Sequence, residues 1–182
     1  MWRFPLLLVL ICSACGVAPE PKSARTVAAY EVPLSSTSDR AELVALLREE
    51  AEREGFHVDA ATADELKQLS QVSPITINAA VWRGKNDDES VASAMDGPDH
   101  LGLAWLAFTL SEEPEQTARF RERVMGRIMS RWPNTHALPI MPTGAIPLPS
   151  DLVLSKNGYL VKATEAAKYE LPASSPLATN VR

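Results

Sequence analysis

The chain has 182 residues, with 18 lysines and arginines against 23 aspartates and glutamates and a formal net charge of −5. This length suits one domain with extensions rather than two domains. The acidic balance argues against general nucleic-acid binding and favours a basic partner.

The N-terminus predicts a signal peptide over residues 1–14. One positive charge, Arg3, precedes an apolar run over residues 4–11, which is far shorter than the roughly 20 residues needed to span a bilayer. Small residues, Ser13 and Ala14, then lead directly to Cys15. From the residues alone, cleavage by an ordinary signal peptidase and an uncleaved N-terminal anchor both stay open as alternatives.

Residues 1–16 resemble the lipobox signal of bacterial cell-envelope lipoproteins. The resemblance implies cleavage before Cys15, which then carries diacylglycerol on its sulfur and a third acyl chain on its amine. Several acyl chains give a stable membrane anchor. The sequence departs from the family at Cys12, which stands where leucine is usual. Gly16, where aspartate would resemble an inner-membrane retention signal, implies a lipid-anchored location on the cell outer membrane, facing the periplasm.

The first predicted elements follow an extended tether. Residues 15–26 are rich in proline and small residues, as a tether would be, and residues 27–33 form a plausible first strand. A helix is predicted to begin at Ser38 or Asp39, with Glu42 three residues after Asp39 as in a capping box. It should end with Gly55 at the C′ position.

The remaining elements predict an α+β, ferredoxin-like βαββαβ core over residues 27–141. Thr62 and Glu65 predict a capping box that opens a short helix ending at about Leu69. The other elements are a strand over 75–82, a strand over 101–110, a helix from Pro114 to Trp132 and a strand over 137–141. The strand over 101–110 is apolar on both faces, which is typical of a central strand that is covered on both sides.

We expect the C-terminal extension, residues 142–182, to cover the face of the sheet on which no helix lies. A proline-rich strap over 138–149 leads to a predicted hairpin that turns at Asn157 and Gly158. The alternative cover is a second copy of the chain, giving a homodimer.

The best candidate for a partner-binding segment is the acidic stretch over residues 84–100, predicted as one long loop between strands. Such loops often bind partners, and the residues assigned to the contact are Asp87, Asp88, Glu89, Asp96 and Asp99. His100 follows them. The spacing of an EF-hand calcium loop is absent, so no metal is assigned, and the alternative interpretation is an ordinary solvated loop.

The second long helix carries a basic stripe at Arg119, Arg123, Arg127 and Arg131. The stripe suits a phosphate, a lipid head group or an acidic protein. Ion pairs within the helix, such as Glu115 with Arg119, and complementarity to the helix dipole are the favoured explanation.

Motifs for catalysis are lacking in the sequence, so neither catalytic residues nor a cofactor are assigned. The sequence therefore predicts a non-enzymatic protein-binding lipoprotein, with an immunity or inhibitor protein against a secreted toxin as one version. The alternatives are an envelope assembly or structural component and, less favoured, a hydrolase.

Overall fold

A computed structural model describes residues 25–71, 75–84, 89–97 and 100–170. It contains one six-stranded sheet, three α-helices and a separate two-stranded hairpin. The predicted signal peptide, Cys15 and residues 171–182 of the predicted C-terminal extension lie outside the described residues.

The sheet has the strand order β2-β3-β4-β5-β1-β6, and each neighbouring pair is antiparallel. Its strands are β1 (Thr26–Pro33), β2 (His57–Ala60), β3 (Asn78–Arg83), β4 (Glu89–Gly97), β5 (His100–Thr109) and β6 (His136–Leu138). The helices are α1 (Thr37–Arg53), α2 (Ala63–Leu69) and α3 (Pro114–Arg131). The predicted α+β class is confirmed.

Most of the acidic stretch predicted as a loop is strand β4, so that prediction is wrong. The signal was weak because alanine, serine, aspartate and glycine, which strands disfavour or tolerate, fill most of its positions. Pairing with β3 on one side and β5 on the other holds β4 in place. Strand β2, with only four residues, was also not predicted.

The local signals at the helix ends are confirmed, with one shift. Helix α1 has its N-cap at Ser36, earlier than predicted, and Asp39 completes the capping box. At the other end Gly55 follows the C-cap residue with a φ of +73°, as a C′ glycine does. Thr62 and Glu65 form the predicted capping box of α2, and Pro114 is the first residue of α3.

Helices α1 and α3 cover one face of the sheet, here called the first face. Their inward positions, such as Leu43, Leu47, Phe120 and Ile128, form the main core with residues of β1, β3, β4 and β5. Met129 of α3 is 48% exposed and is not part of this core.

A hairpin from the C-terminal extension lies on part of the opposite, second face. It consists of β7 (Leu152–Ser155) and β8 (Gly158–Val161). Leu152, Tyr159 and Val161 pack with Ala29, Trp105 and Leu138 of the sheet in a second apolar cluster. The turn is Lys156–Asn157, one residue earlier than predicted, because Ser155 pairs with Gly158.

Candidate functional site: an acidic cleft beside the free edge of the sheet

The residues predicted to bind a partner do not lie in one loop. Glu89 and Asp96 stand near opposite ends of β4, about 24 Å apart at 3.4 Å per residue. Asp87, Asp88 and Asp99 lie outside the described residues. Along the chain Asp87 and Asp88 precede β4 and Asp99 follows it, so the strand separates the five acidic positions instead of one loop gathering them.

The carboxylate of Glu89 is bound within the domain. It accepts a hydrogen bond from Arg83 Nε and another from the backbone N–H of Glu112 at 2.7 Å. The hydrogen bond with Glu89 also raises the pKa of Arg83. Glu89 therefore ties the start of β4 to the segment that leads into α3.

Asp96 holds the chain that returns from α2 to β3. Its carboxylate accepts hydrogen bonds from the backbone N–H of Thr76, from Thr76 Oγ1 at 2.5 Å and from the backbone N–H of Ile77 at 3.0 Å. Asp96 is thus a positioning residue for the segment that leads into β3.

The arginine stripe of α3 pairs with α1 rather than within its own helix. The pairs are Arg119 with Glu54, Arg123 with Glu50 and Glu54, Arg127 with Glu49 and Glu50, and Arg131 with Asp39 and Glu42. The prediction of ion pairs within the helix, such as Glu115 with Arg119, is therefore wrong, although acidic side chains do neutralise the stripe. The stripe joins the two helices and is not a free anion site.

Glu50 lies at the centre of this ladder, with its side chain only 1% exposed. Burial alone would raise the pKa of its carboxyl. Hydrogen bonds from Arg127 and Arg123 outweigh burial and hold that pKa below its usual range. The folded domain therefore keeps a charged glutamate between its two long helices.

A cleft of about 490 Å³ lies between helix α2 and strands β2 and β3. Strands β2 and β3 and helix α2 supply its lining, which consists of Asp59, Ala61, Glu65, Gln68, Leu69, Asn78 and Ala80. These residues are here called the acidic cleft.

The strand residues of the acidic cleft belong to the second face. Val58 and Val81 pack in the core on the first face, so the alternating neighbours Asp59 and Ala80 point to the other side. Cross-strand pairing continues this row through Ser93 and Ala107.

The hairpin lies over the part of the second face formed by β1, β5 and β6. Within the described ranges, the hairpin does not reach the part formed by β2, β3 and β4, which α2 borders across the acidic cleft, and there Met95 is 47% exposed and Asp59 and Asn78 are also exposed. This part is here called the open half.

Strand β2 is one edge of the sheet, and its outer side carries free backbone groups. The N–H of Ala61 donates to the carbonyl of Asn78 at 2.9 Å, and the register pairs Asp59 with Ala80. In an antiparallel ladder the intervening residues, Val58 and Ala60, then direct their N–H and C=O groups away from β3. Among the described residues these outward groups have no hydrogen-bond partner.

The acidic cleft has a negative charge that is not neutralised within the described part of the chain. Asp59 has no cationic partner there, and Glu65 accepts hydrogen bonds only from Thr62, at 2.8 Å from both its N–H and its hydroxyl. Those two bonds hold the pKa of Glu65 below its usual range, so the group stays ionised. The cleft therefore suits a lysine or arginine of a bound molecule.

The acidic cleft was missed from the sequence because its residues are brought together only by folding. Thr62 and Glu65 were recognised as a helix cap, and Asn78 as part of a strand. The alternation of Val58, Asp59 and Ala60 was the available signal, but it is shorter than the run of roughly four to eight residues from which alternation predicts a strand.

Comparison with protein-family models, with curated proteins and with solved structures finds no match for the chain. Over the ranges that the structure describes, no helix has the length and apolar character of a bilayer-spanning segment. The same ranges contain no group of three metal-ligating side chains. What the site can bind is therefore derived from its own chemistry, which is an acidic cleft beside unpaired strand edge groups.

Proposed function

We propose that the chain is a non-enzymatic protein-binding module that holds or neutralises a basic partner protein. The observation that carries this proposal is the open half of the sheet, which combines exposed side chains, a free strand edge and an acidic cleft. An immunity or inhibitor protein against a secreted toxin fits this chemistry, because an anionic surface complements a cationic cleft.

Part of the proposal is that lipid on Cys15 anchors the module to the outer membrane at its periplasmic face. Strand β1 begins where β5 ends, since Leu110 N–H donates to the carbonyl of Arg25 at 2.7 Å. The acidic cleft lies toward the opposite end, where β2 ends and β3 begins. An anchor that precedes β1 would thus join the domain at the end of the sheet opposite the cleft.

The proposed contact also draws on the residues predicted from the sequence. Asp96 contributes through the fold, because it fixes the segment between α2 and β3. Asp99 follows β4 in the chain, three residues after Asp96. Asp87, Asp88 and Glu89 stay a predicted second contact, with Glu89 already engaged by Arg83.

We also propose that the α+β fold contains a ferredoxin-like core. Supporting it, strands β6, β1, β5 and β4 lie side by side in the order that such a core requires, and α1 and α3 share one face. Strands β2 and β3 with helix α2 would then be an insertion that extends the sheet and forms the acidic cleft.

A second candidate function, an envelope assembly or structural component that pairs with itself, is favoured by a different surface. Val153 and Leu160 face each other on the hairpin and are 48% and 57% exposed. Exposed apolar neighbours of this kind suit a protein interface or a homodimer.

The lipid anchor is tested by metabolic labelling with palmitate. We expect label on the wild-type protein and on Cys12→Ser, but none on Cys15→Ser, because only Cys15 follows the small residues of the signal. Label that survives on Cys15→Ser would show that the anchor is elsewhere.

The binding surface is tested by capture of proteins from envelope extract on the immobilised domain. Replacing Asp59 by Asn and Glu65 by Gln removes two charges and keeps a capping-box residue at position 65. We expect the captured partner to bind about tenfold more weakly, since charge contacts of up to about 1 kcal/mol each are lost.

The matched control replaces Glu115 and Glu122, exposed acids of α3, by Gln. It changes the net charge equally and should leave capture unchanged. Equal loss in both variants would mean that only net charge matters, and no loss in the cleft variant would exclude the open half as the contact.

A further inference from the structure

The two edges of the sheet differ in whether another segment of the described chain lies against them. At the β6 edge, Gly158 of the hairpin approaches the backbone so closely that an added Cβ would lie 2.9 Å from the carbonyl oxygen of Ala137. At the β2 edge, the outward N–H and C=O groups of Val58 and Ala60 have no partner among the described residues. An edge with a row of unpaired groups is a template for another strand.

We infer that β2 accepts an extended segment of the partner protein as an additional antiparallel or parallel strand, with a lysine or arginine of that segment in the acidic cleft. The inference rests on the proposed binding function and assigns its mode. Main-chain hydrogen bonds to Val58 and Ala60 supply affinity, and the charge of Asp59 and Glu65 selects the side chain, as in other cases of strand addition.

A second copy of this chain fits the edge less well than a basic partner. Antiparallel pairing of two β2 strands through Val58 and Ala60 would place Asp59 directly opposite its counterpart, and like charges in that position are destabilising. Asp59 thus disfavours this self-pairing while it attracts a cation.

The test separates the backbone contribution from the charge. Ala60→Pro removes one outward N–H without removing a ladder bond to β3, because Ala60 occupies a non-hydrogen-bonded position opposite Ala79. Asp59→Asn removes the charge and leaves the edge intact. With the envelope-extract capture described above, we expect Ala60→Pro to bind the partner about tenfold more weakly than wild type and Asp59→Asn about threefold more weakly.

The pattern of losses decides between the explanations. If Asp59→Asn no longer captures the partner and Ala60→Pro still does, the partner recognises only the charge. Strand addition is then wrong, while the binding function stands. If both variants capture every protein that wild type captures, the proposed function fails as well. If Asp59→Asn instead increases self-association in sedimentation with no change in capture, Asp59 only prevents self-pairing of β2. That result also overturns the inference.

A second readout does not depend on the proline variant staying folded. In the complex of the wild-type domain with its captured partner, the amides of Val58 and Ala60 should exchange with solvent at least about tenfold more slowly than in the free domain. The amide of Asp59, which already bonds to β3, should change less. Unchanged exchange at Val58 and Ala60 would overturn strand addition.

Discussion

Replacing both Arg123 and Arg127 by Ala should destabilise the domain by about 3 kcal/mol, because the buried carboxylate of Glu50 then loses two of its cationic partners. Arg53, at 3.3 Å, stays as the third partner, so the loss falls at the lower end for a broken buried ion pair. Urea denaturation followed by circular dichroism measures the free energy of unfolding.

Two further variants test that explanation. Arg119→Ala removes an exposed pair with Glu54 and should cost less than about 1 kcal/mol. Adding Glu50→Gln to the double arginine variant removes the uncompensated charge and should restore part of the stability. If the double variant is as stable as wild type, or if Glu50→Gln fails to restore it, the ladder does not hold the two helices together.

Gly158→Ala should loosen the hairpin from the second face of the sheet. The φ of Gly158 is +112°, which non-glycine residues rarely adopt, and the added Cβ would lie 2.9 Å from the carbonyl oxygen of Ala137. Backbone strain of this kind costs about 1–3 kcal/mol before the close contact is considered. Limited digestion with trypsin should therefore cleave faster after Lys156 and Lys162, which mass spectrometry of the fragments measures.

The matched control is Gly126→Ala, the same substitution in helix α3. An added Cβ there meets nothing within 4 Å, and alanine stabilises a helix by up to about 1 kcal/mol relative to glycine. Cleavage after Lys156 and Lys162 should stay at the wild-type rate. If Gly158→Ala behaves like this control, the close approach of the hairpin to β6 is not what holds it.

Features set by neighbours in the sequence could be predicted. The capping box of Thr62 and Glu65, the first-turn proline at Pro114 and the C′ glycine at Gly55 each depend on residues within one helical turn. The apolar character of β5 on both faces also indicated correctly that the second face needs cover.

Features set by distant residues could not be predicted. Strand β4 is held by pairing on both sides, although residues such as Ser93 and Ala94 have little strand propensity of their own. Arg123 and Glu50 pair across 73 positions of the chain, so the sequence showed a basic stripe without its partner. The acidic cleft depends in the same way on α2 folding back beside β2.

The most direct test of the binding surface is site-specific photo-crosslinking in cells that express the full chain. A photoreactive amino acid at Gln68, on the rim of the acidic cleft, should give a covalent adduct with a basic envelope or toxin protein. The same group at Val153, on the outer face of the hairpin, should give none. Adducts from Val153 with none from Gln68 would contradict the open half as the binding surface and would favour the hairpin.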